Sequence, residues 1–430
     1  MCQLAFGLIL GADDYCGGSG PLYVTRGKCD NPLHKAFITA GQEAGYGYTN
    51  DMNGYRQEGM GPMFMTIKKG KRWSTSQAYL RPALSRPNLR TLNGVLVEKI
   101  VFEKNRAIAL QVRSRRSGKE TMLRTESDII LSGGAINTPQ LLLLSGVGPG
   151  SDLRGMDITV VQDMPGVGSN LQDHLEIYVQ QACTRPITLY NKSSWRFPHN
   201  MIRIGLQWFL SRTGEAASTH LESGGFVRRN SDVPHPDVQF HFLPSTVHDH
   251  GRVAGSQHAY QVHVGPMRPT SVGRIKLKSR NPNDHPLLDP NYLATESDRA
   301  EFRDCIRISR DIFAQPSFKT FRGAELAPGP KFNSDAELDA FVRAAADTAY
   351  HPSCTCKMGL SADQDAVIDP ETMKVHGLEG LRIVDASVMP SIVSGNLNAP
   401  TIMTAERASD LIKGGTILTE LHVPVWKPNH

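Results

Sequence analysis

The order of apolar and polar positions divides the chain into three stretches. Up to about residue 25 the pattern is weak, and Gly11, Gly17, Gly18 and Gly20 lie close together, which reads as loop. From Pro32 to Ala44, Leu33, Phe37 and Ile38 fall on one helical face. Leu92 to Phe102 is rich in Val and Ile, and Ala107 to Val112 alternates. With Asn93-Gly94 as a turn signal, this predicts consecutive strands between Asn88 and Val112. The middle stretch alternates at Asp237 to Phe242, Tyr260 to Val264 and Gly273 to Leu277, and Asn281-Pro282-Asn283-Asp284 forms a turn cluster. Helical patterns follow over Glu296 to Phe313 and Asp335 to Ala346. Strands followed by helices predict an α+β block. The last third returns to strand–loop–helix units, so an α/β unit is interrupted by the middle block. No internal repeat is visible.

Two strand–loop–helix corners carry the most detail. In the first, Ile129 to Leu131 is a short buried strand, Gly133-Gly134 allows a tight turn, and Asn137 or Thr138 caps a helix beginning at Pro139 and ending at Gly146. A helix start beside glycines suits a phosphate or an electron-rich ring, and the same corner fits a turn kept only for packing. Gly146-Val147-Gly148-Pro149-Gly150 looks like a nucleotide fingerprint, but a helix precedes it, and it reads as helix stop and loop. No G-x-G-x-x-G occurs anywhere. In the second corner, Leu381 to Val384 is a strand followed by Asp385-Ala386. After Ser394-Gly395-Asn396-Leu397-Asn398-Ala399, a helix from Pro400 should turn Ile402, Ala405, Ala408, Leu411 and Ile412 inward.

Composition removes several classes of protein. The 430 residues are 40% apolar and 21% charged, which is globular and long enough for more than one domain. Lys plus Arg minus Asp plus Glu is 47 − 42 = +5, without long runs, which argues against nucleic acid. No stretch approaches the roughly 18 apolar residues of a spanning helix, and Leu4 to Ala12 lacks a basic flank. Seven scattered cysteines, an odd number, point to a reducing compartment and not to a disulfide scaffold.

Candidate chemistry is sparse when read residue by residue. Cys354-Thr355-Cys356 has the wrong spacing for zinc and no second pair, so no metal site is expected. His351 beside Cys354 fits a Cys–His pair or an ordinary core histidine. His248-Asp249-His250 fits a polar turn better than a metal site.

Taken together, Gly134 to Gly148, Pro165 to His174, the His351 segment and Asp385 to Thr401 resemble the glucose–methanol–choline family of flavin-dependent alcohol oxidoreductases, in the family's order. The wording around His174 to Tyr178, Gln181 to Pro186, His220 to Glu222, Phe240 to Pro244 and Ser394 to Pro400 is similar to its choline-oxidising members. The resemblance implies an FAD-binding Rossmann-like α/β domain plus an α+β substrate-binding domain with an antiparallel sheet. It also implies FAD as cofactor, choline as substrate and an electron acceptor such as a quinone of the respiratory chain. A mitochondrial location with peripheral inner-membrane association, and no nucleic acid partner, would go with these.

His351 matches the family's catalytic histidine and Asn396 its catalytic partner. A neutral His can take the hydroxyl proton, and an amide can hold the alcohol oxygen. The same resemblance gives Val97, Gly133, Gly134, Asp385, Ala386, Asn396, Asn398, Pro400 and Thr401 as cofactor-binding, and Glu222 as the carboxylate for the ammonium. Tyr350, Phe226 and Phe242 are unranked aromatic candidates for the same cation. The expected division is a remnant of the FAD-binding and lid region over 1–84, the FAD-binding domain over 85–176 and 378–415, and the substrate-binding domain over 177–377. The family's opening glycine fingerprint is missing, so the chain reads as N-terminally truncated, without a transit peptide. Weak FAD binding, or an inactive fragment with a binding role, is then an alternative, as is an oxidase using oxygen directly.

Overall fold

The computed structural model describes residues 6–8, 12–193, 196–248, 252–415 and 422–427. Its main frame is an antiparallel sheet of seven strands. Six run in the order Arg322–Ala327, Leu175–Cys183, Ala259–Pro266, Val238–Leu243, Ser223–Val227 and Gly59–Pro62, and Asp347–Thr348 pairs with the start of Leu175–Cys183.

Strand side chains alternate between faces, and here the alternation separates core from chemistry. Ile177, Val179, Val262, Val264, Phe240 and Phe242 are fully buried on one face. They pack with Phe37, Phe302, Ile306, Phe313 and Phe318 beneath helices Pro32–Glu43, Glu296–Ala314 and Asp335–Ala345. Phe37 stacks on Phe242 at 4.7 Å and Tyr260 on Phe318 at 5.1 Å. The intervening positions are polar: Glu176, Tyr178 and Gln180 on one strand, Gln261 and His263 on the next, Gln239 and His241 on the third. These three strands are neighbours in register, with His263 opposite both Tyr178 and His241.

A second core forms around the hairpin Val95–Glu103 and Arg106–Ser114, the helix Gly134–Leu144, and the parallel pair Ile129–Leu131 and Leu381–Ile383. The C-terminal helix Asn398–Lys413 adds Ala408 to it and ends at Gly414, which sits at φ +62°. Packing divides the chain differently from the sequence reading. Helix Pro32–Glu43 and Met60 join the sheet's core, although they lie inside the expected 1–84 remnant. Cys356, Val367, Ile368, Met373 and Val375 join the second core, although they precede residue 378. Sequence order alone could not reveal which core these short apolar pieces enter.

Several local expectations change. The stretch read as loop contains strand Leu22–Arg26, parallel to Phe6–Leu8. Its five residues fall among glycines that mask the alternation. The hairpin turns at Lys104, at φ +54°, and Asn105, while Asn93-Gly94 only leads into the first strand. The first-corner helix begins at Gly134, so Asn137, Thr138 and Pro139 lie inside it. Pro139 has no N–H for the Ala135 carbonyl four residues back, and Thr355 Oγ1 donates to that carbonyl instead, at 2.6 Å. Val147–Gly148 is a short strand and Gly150–Gly155 a short helix, where loop was expected. On the C-terminal helix Ile402 and Ala408 are buried, but Ala405 and Ile412 are exposed.

Helix Pro198–Ser211 buries none of its residues. Ile202, Leu206, Phe209 and Leu210 form one outward stripe and are 63, 56, 68 and 80% exposed. No helix among the described residues is long and apolar enough to cross a membrane.

Candidate active site

The loop carrying His351 is fixed by Asp173, a buried carboxylate just before the strand Leu175–Cys183. One Asp173 oxygen accepts the His351 backbone N–H at 2.9 Å, and the other accepts Thr348 Oγ1 and Tyr292 Oη at 2.5 Å each. Burial raises the Asp173 carboxyl despite these donors. Next along the chain, His174 is 1% exposed, and burial pushes it down to about 3, so it is neutral at ordinary pH.

The hydrogen-bond network assigns the tautomers. His174 Nε2 lies 3.1 Å from the Met267 carbonyl, which can only accept, so Nε2 carries the proton. His174 Nδ1 is then a lone pair, 3.0 Å from His351 Nδ1, which must donate to it. His351 is left with its Nε2 lone pair directed at Asn396 Nδ2, 3.5 Å away. Burial also lowers the His351 pKa, opposed in part by the charge of Glu176.

Asn396 is oriented in the same manner. Its Oδ1 accepts from Gln239 Nε2 at 2.9 Å, and the same Gln239 nitrogen lies 3.2 Å from His241 Nε2. The two Gln239 hydrogens can serve both acceptors, which turns the Asn396 amide nitrogen toward His351. His241 is lowered by burial to about 4.

On the neighbouring strand Glu176 Oε1 accepts from His263 Nδ1 at 2.9 Å. Burial alone would raise the Glu176 carboxyl. Hydrogen bonds from His263 and Tyr178 oppose burial and hold it below its ordinary value. The Tyr178 ring lies beside that of His263, with centroids 4.2 Å apart. A lone-pair base and an amide donor, both on loops, thus lie beside the polar sheet face that carries the anion. Gln239 of that face holds Asn396, and the Glu176 charge acts on His351. Such an arrangement can deprotonate a hydroxyl on a small cationic molecule.

The cofactor residues expected from sequence fall into two places. Val97 and Gly133 line one cavity of about 780 Å³, with Ser132, Asn137 and Thr138. Asp385 ties this end to the second corner. Its Oδ2 accepts from Gly134 N at 2.9 Å and Thr138 Oγ1 at 2.6 Å, and its Oδ1 from Ser387 N and Oγ. The Ala386 carbonyl accepts Cys354 N–H. Asn398, Pro400 and Thr401 make the first turn of the C-terminal helix, which no side chain caps. An open cavity walled by glycine at one end and an uncapped helix start beside His351 and Asn396 at the other fit a dinucleotide with a flavin ring.

Glu222 is not part of this cluster. Its Oε2 accepts the Cys29 N–H at 2.6 Å, and Oε1 accepts from Ser218 Oγ. It precedes the strand Ser223–Val227, whose other end, at Phe226, pairs with Gln239. Four residues of strand, about 13 Å, separate Glu222 from Phe226. Phe226 lies beside Gly395 and remains near the site, whereas Phe242 belongs to the core. Tyr350 is 66% exposed.

Cys354 and Cys356 are buried, and burial raises the Cys354 thiol to about 11, with Ser353 as its hydrogen-bond partner and not His351. Among the described residues, the group spaced to hold a metal is Asp13, Cys16 and Asp51, far in sequence from these cysteines. Asp249 and His250 lie outside the described residues. The sequence reading missed His174, Glu176, Tyr178, Gln239, His241 and His263 as site residues. For all but His174, which precedes the strand Leu175–Cys183, their signal was the polar half of the alternation in three adjacent strands.

The GMC oxidoreductase family pattern matches residues 8–176 and 269–405. The chain belongs to this family. It is 59% identical to mitochondrial choline dehydrogenase of Mus musculus, over 97% of this chain and 69% of the mouse protein. Oxygen-dependent choline dehydrogenase of Brucella ovis is 47% identical, over 97% of this chain and 74% of that protein. Among solved structures, pyridoxine 4-oxidase from Mesorbium loti matches with a TM-score of 0.84 at 30% identity, covering 96% of this chain and 76% of that one.

Proposed function

We propose that this protein oxidises choline to betaine aldehyde with FAD as cofactor. The observation that carries the reading is His351 Nε2 beside Asn396 Nδ2, next to the polar sheet face that holds Glu176, whose charge acts on His351. His351 takes the hydroxyl proton, and Asn396 donates to the same oxygen as negative charge develops on it. Glu176 holds the trimethylammonium group, which offers no hydrogen bond and is recognised by charge and by aromatic faces such as Tyr178. Bound FAD supplies the hydride acceptor. Val97 and Gly133 would border its nucleotide, while Gly134, Asp385 and Ala386 shape the corner between. The turn Asn398–Thr401 would face the ring. Similarity to the mouse enzyme supports the substrate and a mitochondrial location.

The test compares choline with 3,3-dimethylbutan-1-ol, its uncharged carbon isostere. Glu176→Gln should raise KM for choline and spare the isostere. Equal effects on both would remove Glu176 from cation recognition, and unaltered KM values would refute the site. Turnover would also need an external electron acceptor, and a quinone of the respiratory chain suits a mitochondrial enzyme. Turnover that persists without oxygen, when a quinone is supplied, tests this.

Peripheral contact with the inner membrane is supported by helix Pro198–Ser211. Trp208 Nε1 anchors it by donating to the Gly70 carbonyl at 2.7 Å, in the turn between Ile67–Lys68 and Lys71–Arg72. Exposed Lys69, Lys71, Arg72 and Arg203 then flank its apolar stripe, a pairing suited to anionic lipid. Sedimentation with vesicles of phosphatidylcholine and cardiolipin, lost on Phe209→Ser with Leu210→Ser, is the expected outcome.

A further inference from the structure

Behind the Glu176–His263 pair lies a chain of side-chain amides that plays no part in proton removal. Gln261 Nε2 stands 2.7 Å from His263 Nε2. Which atom donates depends on which way the Gln261 amide faces, and its other end settles that. Gln261 Oε1 is 2.9 Å from the Val247 N–H and 2.9 Å from Gln180 Nε2. Both are donors, so this end of the amide is the oxygen. Gln261 is fully buried and Gln180 is 4% exposed, so neither can turn to solvent for other partners.

The direction then propagates. Gln261 presents N–H to His263 Nε2, which must hold a lone pair there. His263 donates its single proton, on Nδ1, to Glu176 Oε1. An imidazole in this state gives Glu176 a hydrogen bond without giving it a countercharge. A doubly protonated His263 would place two N–H groups, one from each ring nitrogen, against Glu176 and the Gln261 amide, and the second contact would be donor against donor.

We propose that Gln261, set in direction by Gln180 and the Val247 backbone, is a positioning residue for cation specificity: it keeps His263 singly protonated, so that Glu176 faces the substrate as an uncancelled anion. The proposal rests on Glu176 as the cation-binding carboxylate and adds how its charge is preserved. A cationic alcohol is thereby preferred over a neutral one of equal shape by a residue that touches neither.

The decisive substitution is Gln261→Glu, which replaces the N–H facing His263 with an oxygen and leaves volume nearly unchanged. In the full chain carrying ¹⁵N-labelled histidine, the parent His263 should show a neutral ring protonated on Nδ1. The Gln261→Glu variant should show both nitrogens protonated. With FAD supplied, Gln261→Glu should raise the choline KM about tenfold or more, a factor that corresponds to about 1.4 kcal/mol. It should leave KM for 3,3-dimethylbutan-1-ol and kcat for both alcohols within about twofold. Calorimetric titration of choline gives the same comparison without turnover. Gln261→Leu, which removes the donor and adds no charge, should shift the choline constant less.

Glu176→Gln separates the two readings. If it selectively weakens choline but Gln261→Glu does not, the amide relay is overturned and Glu176 keeps its role. If neither selectively weakens choline, both fall together. A parent His263 protonated on Nε2, or on both nitrogens, overturns the relay on its own, and so does an equal loss for both alcohols in Gln261→Glu.

Discussion

His174 and His351 face each other through their Nδ1 atoms, 3.0 Å apart, with ring centroids at 5.1 Å and planes nearly perpendicular. Two such nitrogens can bond only if one is bare and the other protonated. The Met267 carbonyl decides the assignment, because it accepts the proton that His174 has. The lone pair that His351 turns toward Asn396 is therefore set two residues away, at a backbone oxygen.

Replacing His351 by Ala should slow flavin reduction by choline about 100- to 10,000-fold, the usual range for a lost general base. His174→Leu keeps the base but frees its tautomer. It should slow reduction by about tenfold and shift the pH dependence of that step. Stopped-flow absorbance of the flavin reads both, and less than about fivefold slowing in His351→Ala would remove the base assignment.

Burial lowers the His351 pKa, so the basic form persists to more acidic pH than for a free imidazole. kcat/KM for choline should rise with pH along a single limb centred below the ordinary histidine value. A limb centred above that value would contradict the buried, neutral base.

Stability should fall as pH drops, for the same reason. His34 and His241 are lowered by burial to about 4, and His174 to about 3. Below the ordinary imidazole value of 6.5 the unfolded chain takes up protons at these positions while the folded chain does not. Stability is therefore full above that value and is lost between it and the folded-state values, by up to about 1.4 kcal/mol per pH unit for each group. Urea midpoints between neutral pH and about pH 5 would show the slope, and His34→Gln should flatten it. Midpoints that rise on acidification would contradict the neutral rings.

Gln239→Leu removes the donor that orients Asn396 without touching substrate. The amide of Asn396 can then rotate and offer its oxygen toward His351. Flavin reduction should slow by about tenfold, with choline affinity altered little, because Glu176 is untouched. A change in affinity alone would move Gln239 out of this role.

Thr355→Val should destabilise the fold by about 1–3 kcal/mol, because the Ala135 carbonyl loses its donor where Pro139 cannot replace it. Denaturant midpoints measure this, and no change would mean that water reaches that carbonyl.

Part of the middle block was legible, where elements are long and periodic, but helix Pro198–Ser211 and strands Leu175–Cys183, Ser223–Val227 and Arg322–Ala327 were not read from sequence. Helices Glu296–Ala314 and Asp335–Ala345 appeared within a residue of their predicted spans, the second opened by the Ser334 and Glu337 capping box. His351 and Asn396 were legible by family resemblance, and the geometry brings them together. Glu222, expected at the ammonium, turns its carboxylate to Cys29 and Ser218, local contacts that residue type alone does not reveal. Glu176 was overlooked because its neighbours in space, His263 and His241, come 87 and 65 residues later (263 − 176 and 241 − 176). The helix start at Gly134 was hidden by Pro139, which usually marks a first turn. Its missing bond is made good by Thr355, more than two hundred residues away.

The alternation in the central strands ties tolerance of change to sequence position. Val238–Leu243 interleaves Phe240 and Phe242 with Gln239 and His241. Substitutions there can be judged one residue at a time, since neighbours serve opposite sides. Insertion or deletion cannot. Losing a single residue between Val238 and Leu243 would turn a histidine into the aromatic cluster and a phenylalanine toward the substrate, abolishing folding and chemistry in the same event. Length variation among functional descendants of this chain should therefore gather in connections such as 228–237 and 267–273, while these strands keep a constant residue count however far their side chains diverge.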